Sequence, residues 1–210
     1  MADHICPVWV GYLMANPLRK LVQSPSKILA DYVQPGMRVL DVGCAMGYFS
    51  VPMARRVGPE GQVVCVDVQE KMLSSLKRRA RRAGVDDRIL ARRCTAAGLG
   101  CEDLGGQIGF ALAFAMVHEV DDPVGFFGEV YACLSRGGRL LVAEPRGHVK
   151  PDAFEETIRH AESVGFTVDR RPGVGGSHAV LLEKPARVAA RSGAGGRRGQ
   201  PPVGGSVVGA

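Results

Sequence analysis

Between Arg38 and Glu183, short valine- and leucine-rich runs alternate with longer stretches in which apolar residues recur every three or four positions. The runs Arg38–Val42, Gln62–Val68, Arg88–Cys94, Ile108–Ala115 and Arg139–Glu144 predict strands, the last of them following a Gly137-Gly138 turn. Phe49–Val57 predicts a helix with Pro52 in its first turn, where a missing N–H is harmless. In the next periodic stretch Met72, Leu73, Leu76, Ala80 and Ala83 share one face. Lys77, Arg78, Arg79, Arg81 and Arg82 surround the other, and Gly84 supplies a stop, which together predict a surface helix. Pro123–Leu134 and Pro151–Val164 predict two more helices. Phe166–Arg171 and Ala179–Glu183 are linked through GVGGS, too short for a parallel crossover, so they predict a hairpin.

Five βα units and a terminal antiparallel hairpin specify an α/β fold, a doubly wound Rossmann-like sheet. Such a sheet places its ligand at the carboxyl ends of the strands, where the strand order switches. At 210 residues the chain suits one domain, and 46% hydrophobic with 23% charged residues excludes disorder throughout. No apolar run reaches the ~18 residues of a membrane span, and the N-terminus lacks a secretory pattern, so a cytoplasmic protein is expected. The six cysteines form no CxxC pair, which argues against a disulfide framework or a zinc ribbon. His4 and Cys6 lack further ligands at a matching spacing, so no metal is expected.

Charge changes the picture less than its total suggests. The formal net charge is +6, but Arg187, Arg191, Arg197 and Arg198 follow residue 185, where no acid stands, and the rest of the chain carries only +2. Residues 186–210 are built of Gly, Pro, Ala and Arg without periodicity and are expected to be a disordered basic tail. The expected division is an N-terminal helical lid segment over 1–31, a ligand-binding domain over 32–185, and that tail.

The chemistry is concentrated in VLDVGCAMGYFS, residues 39–50. Gly43 and Gly47 let backbone approach a ligand, and the following helix start offers unpaired N–H groups. Asp67 closes the second strand, where a carboxylate can accept from both hydroxyls of a ribose. A dinucleotide site would show GxGxxG; this chain shows DxGxAxG. Asp41 would repel a pyrophosphate but can pair, directly or through water, with an ammonium group. No GK[ST] follows the glycines, which excludes a P-loop. The ligand read from these residues is an adenosine bearing a positive amine.

VLDVGCAMGYFS followed by VVCVDVQEKML resembles the first two motifs of class I S-adenosylmethionine-dependent methyltransferases. The resemblance covers roughly residues 32–184. AFAMVHEVDD and GGRLLVAEPRG are similar to the small-molecule branch that includes the ubiquinone and menaquinone biosynthesis enzymes. It implies a seven-stranded sheet, mostly parallel, with a reversed C-terminal strand, and S-adenosylmethionine as cofactor. It implies that Asp41 and the backbone of Gly43, Cys44, Ala45 and Gly47 hold the methionine part, that Asp67 binds the ribose, and that Val68 packs on the adenine. The family's acid after strand three is absent; Thr95 and the N–H of Ala96 stand there instead. The loop's central glycine is Ala45, which a tight turn accommodates if its φ is negative. Phe114 and Ala115 would supply backbone carbonyl and wall near the methionine end.

The expected reaction is methyl transfer to a small, hydrophobic acceptor. His118, just past strand four, is the candidate general base, with Glu119 to orient it; a capping or lining role for His118 stays open. Glu144 and His148 lie after strand five as acceptor-side candidates or as turn residues satisfying their own backbone. Trp9 and Tyr12, in the only tryptophan-bearing segment, would belong to a lid over the site or pack on the sheet. Arg19 and Lys20 could meet anionic headgroups in a peripheral membrane contact. KRRARR at 77–82 lacks interleaved aromatics and reads as a solvated face, so nucleic acid is disfavoured as a partner. The alternatives are an RNA methyltransferase and a non-catalytic S-adenosylmethionine-binding protein.

Overall fold

The computed structural model describes residues 23–95 and 98–186. One seven-stranded sheet runs in the order β3-β2-β1-β4-β5-β7-β6. Its strands are β1 (Arg38–Val42), β2 (Gln62–Asp67), β3 (Ile89–Arg93), β4 (Ile108–Phe114), β5 (Leu134–Pro145), β6 (Thr167–Arg170) and β7 (Ser177–Glu183). The pairings β1–β2, β1–β4, β2–β3 and β4–β5 are parallel, whereas β7 lies antiparallel between β5 and β6. The helices are α1 (Pro25–Ile28), α2 (Ser50–Val57), α3 (Glu70–Ala83), α4 (Pro123–Cys133) and α5 (Pro151–Ser163).

Helices cover both faces, which is why the central strands read as nearly unbroken apolar runs. Val39, Val63, Phe110, Leu112 and Leu141 pack with Leu29, Met53, Val57, Leu73 and Leu76 on the side of α1, α2 and α3. Leu40, Val64, Ala111, Leu140 and Val142 pack with Phe126, Phe127, Phe154 and Ile158 on the side of α4 and α5. α3 buries Met72, Leu73, Leu76 and Ala80 and ends at Gly84, whose φ of +65° suits a left-handed cap. α4 starts at Pro123 behind Asp122, whose side chain accepts from the Gly125 N–H.

The expected α/β sheet with one reversed strand is the sheet observed. Two details differ. Among the described residues, no α-helix separates β3 from β4; a 3-10 turn at Glu102–Leu104 stands where the third helix of the βα series was expected. β5 begins at Leu134, five residues early, because Gly137 and Gly138 exchange backbone hydrogen bonds with Lys184 and continue the strand through an irregularity. No helix of the described residues is long and apolar enough to cross a membrane. Trp9, Tyr12, His4, Cys6, Ala96 and nearly all of the expected tail lie outside the described residues.

Candidate functional site

The chain runs outward from β1 through β2 to β3, then returns to β4 on the other side of β1. The strand order therefore switches at β1 and β4, and the loops at their carboxyl ends border the crevice where such sheets hold ligands. Residues 43–49 lead from β1 into α2. Gly43 and Gly47 both have positive φ, +66° and +79°. A Cβ on Gly47 would lie 2.3 Å from Leu76 Cδ1, and one on Gly43 would lie 3.0 Å from the Met116 side chain. Both glycines are thus fixed by backbone conformation and by close neighbours.

Ala45 corrects an expectation. Its φ is +46°, in the left-handed region and not negative. A Cβ there costs roughly 1 kcal/mol. The turn is held by the Ala45 N–H, which donates to Asp67 Oδ2 at 2.9 Å. The Gln69 N–H donates to Asp67 Oδ1 at 2.8 Å. A carboxylate offers about four lone-pair sites, so each oxygen keeps capacity for one more donor, such as a sugar hydroxyl. Burial raises the Asp67 pKa, while the two backbone donors oppose the shift. Val68 follows with its side chain exposed, an apolar surface beside that carboxylate.

Asp41 lies deeper, 3% exposed, and accepts from Ser50 Oγ at the start of α2. Burial pushes its pKa up to about 7; the Ser50 hydrogen bond opposes this and the neighbouring Asp67 charge adds to it. Two buried acids facing one loop favour a proton on Asp41, and a ligand ammonium beside it would favour the ionised form instead. Phe114 closes β4 with its ring tilted on Phe49, centroids 4.6 Å apart. Thr95 is exposed beyond β3, and its backbone exchanges two hydrogen bonds with Gly98.

The second group of candidates meets at the carboxyl ends of β4 and β5. In register, Phe114 pairs with Ala143, which sets Glu144 beside the loop that follows β4. Glu144 is 1% exposed. Its Oε1 accepts from the Val117 N–H at 2.8 Å and the Met116 N–H at 3.3 Å, and its Oε2 meets His118 Nδ1. The partner of His118 is therefore Glu144, from the next strand. The expected orienting residue, Glu119, stands 3.9 Å from the other ring nitrogen, Nε2. Nor does Glu144 satisfy its own turn; it serves the loop of the neighbouring strand. The Glu144 hydrogen bond raises the His118 pKa above the ordinary 6.5, against the opposing effect of burial.

A carboxylate accepts, so Nδ1 carries the proton in the neutral ring and Nε2 presents its lone pair. The His118 side chain is 28% exposed, with Glu119 beside its Nε2. The His148 ring is nearly parallel to His118 at 6.2 Å, while its backbone N–H closes a turn onto Pro145. Sequence reading missed Ser50 and Met116. Ser50 ended the quoted motif and Met116 stands two residues before the candidate base, but nothing in their residue types marked the contacts.

A family model described as a methyltransferase domain matches residues 33–174. The nocamycin O-methyltransferase of Saccharothrix syringae is 32% identical over 140 residues, 65% of this chain and 46% of that protein. The ubiquinone biosynthesis O-methyltransferase of Psychrobacter cryohalolentis is 26% identical over 166 residues, 79% of this chain and 62% of that protein. The chain thus spans about half the length of these relatives. A crystal structure of a SAM dependent methyltransferase from Aquifex aeolicus superposes with a TM-score of 0.76 at 21% identity, covering 86% of this chain and all of the other. The motif-bearing loop after β1, the buried acid closing β2 and the single reversed strand agree with the family match: the chain belongs to the methyltransferase-domain family, with the class I sheet.

Proposed function

We propose that this chain transfers the methyl group of S-adenosylmethionine to a hydroxyl of a small acceptor, with His118 as general base. The observation that carries the reading is the His118–Glu144 pair, which opens a protonatable Nε2 at the same sheet edge as the glycine cradle. The residues fit the cofactor. Gly43 and Gly47 give the loop the left-handed turns that present its backbone at the crevice, Asp67 keeps two acceptor sites for ribose hydroxyls, and Val68 offers apolar surface to an adenine ring. Asp41 supplies negative charge toward the amino-acid end. When bound, the sulfonium supplies an electrophilic methyl group, and the protein aligns the acceptor and receives its proton.

A hydroxyl is a poor nucleophile until its proton leaves, and a base poised near neutral pH removes it most effectively. Glu144 fixes the tautomer and stabilises the imidazolium that forms, as a buried carboxylate behind an imidazole does elsewhere. The two O-methyltransferase relatives support the choice of oxygen as acceptor. Calorimetry with S-adenosylhomocysteine and NAD tests the cofactor: saturable adenosylhomocysteine binding is expected, and NAD binding in its place would overturn the reading. Labelled-methyl transfer into cell extract, fractionated into lipid, RNA and small-molecule pools, tests the acceptor. Label confined to RNA would replace this reading with the nucleic-acid one.

A further inference from the structure

A concavity among the described residues is lined by neither His118 nor Glu144. It is a groove of about 490 Å³ between α1, α2 and α3. Arg55 of α2 and Arg79 and Arg82 of α3 converge on it, Ser24 and Ser26 add hydroxyls, and no acidic residue lines it. Residues 79 and 82 are one helical turn apart and share a face. Arg56 and Arg78, next to Arg55 and Arg79 in sequence, are occupied: Arg56 donates to the Ala30 and Val33 carbonyls and Arg78 to Ser75. Arg55 and Arg82 have no hydrogen-bond or ion-pair partner among the described residues.

We propose that this groove binds a small soluble molecule carrying two or more phosphate groups, and that its occupancy is felt by the loop after β1. Guanidinium groups present planar forks that match phosphate oxygens two at a time, and three of them gathered without an acid repel one another until an anion arrives. Tyr48, Val51 and Pro52 add to the lining, but none of the exposed large apolar side chains of the described residues is among them, which suits a free anion over a bilayer. No run of exposed aromatics is present there to stack the bases of an RNA. The link to the loop is direct. Arg79 donates through Nη1 to the Met46 carbonyl at 3.0 Å, and Leu76, one turn earlier, packs where Gly47 has no Cβ. An anion drawing on Arg79 shifts the same guanidinium that steadies the glycine turn.

Inorganic triphosphate titrated calorimetrically into the full chain at about 0.1 M salt tests the site without any methyl donor, so it stands or falls apart from the methyl-transfer reading. Saturable binding is expected, weakened by at least roughly tenfold in the double variant Arg55→Ala, Arg82→Ala. The same variant should bind S-adenosylhomocysteine as the parent does, which establishes that it folds. Absent binding, or equal binding by parent and variant, overturns the site. Tighter Arg55- and Arg82-dependent binding of a short RNA or of anionic vesicles overturns the small-molecule assignment. With triphosphate saturating, the adenosylhomocysteine affinity should change by roughly threefold or more, as reciprocal coupling requires. An unchanged affinity overturns the link through Arg79.

Discussion

Residues 43–47 after β1 and residues 115–119 after β4 turn at the same edge of the sheet, and each turn passes through an alanine in the left-handed region. Ala45 has φ +46° and Ala115 has φ +56°. Each turn also donates backbone N–H groups to a buried carboxylate at the end of the following strand. Ala45 donates to Asp67 on β2, and Met116 and Val117 donate to Glu144 on β5. Strand alternation sets Asp67 on the α1–α3 side and Glu144 on the α4–α5 side. The difference lies in what completes each carboxylate. Asp67 takes only backbone donors and keeps room for neutral hydroxyls, whereas Glu144 also takes an imidazole and so creates a base. On the proposed function, one turn-plus-carboxylate arrangement serves as a cradle at one end and as a proton acceptor at the other.

Replacing Gly47 with valine should separate the two ends most strongly. A β-branched side chain at φ +79° against Leu76 is strained on both counts. We expect adenosylhomocysteine affinity to fall by at least roughly 100-fold, near 3 kcal/mol, with the fold checked by circular dichroism. Parent-like affinity would break the claim that the first turn is the cradle.

At the second turn, Glu144→Gln should lower turnover by roughly 100-fold with the donor affinity kept. The pH profile sharpens this. Neutral His118 is the active form, so turnover in the parent should fall as pH drops through an inflection above 6.5, where Glu144 holds the ring protonated. In the variant the hydrogen bond and charge of Glu144 are gone, and only the smaller effect of Glu119 opposes burial, so the inflection should move downward. The same pairing contributes stability that is fully present below the ordinary histidine value and lost as pH rises through the raised one. An unmoved inflection would detach Glu144 from His118.

Asp41 gives the smaller test of the first turn. Its carboxyl is raised from 3.8 to about 7, so the protonated form is the one the fold prefers, and its contribution to stability is lost as pH rises toward 7. A donor ammonium reverses that preference. Adenosylhomocysteine affinity should rise roughly fivefold from about pH 6 to about pH 8, and Asp41→Asn should flatten the rise. Smallest of all, Ala45→Gly and Ala115→Gly should each stabilise by up to about 0.5 kcal/mol in urea unfolding, the strain relieved less the entropy of glycine. A loss of stability at either alanine would end the parallel between the turns.

The first turn was legible because its parts are local. Asp41, Gly43, Gly47 and Asp67 lie within one βαβ unit, and their residue types state their roles by spacing. The second was half legible. His118 follows β4 visibly, but its partner is 26 residues away and reaches it only through the β4–β5 register. Proximity in sequence suggested Glu119; the pleat of two parallel strands selects Glu144. The sign of φ at Ala45 was not legible, since a small side chain does not reveal the conformation of the turn that donates to Asp67. The absent helix between β3 and β4 and the early start of β5 reflect glycine-rich stretches, where propensity alone places boundaries poorly.

The most direct measurement is transfer of labelled methyl from S-adenosylmethionine into the small-molecule pool of an extract, by the parent and by His118→Asn, with adenosylhomocysteine affinity measured for both. The account predicts oxygen-linked label with the parent, at least roughly 100-fold less with the variant, and equal donor affinity. Equal labelling by parent and variant, or no label in that pool, would contradict it.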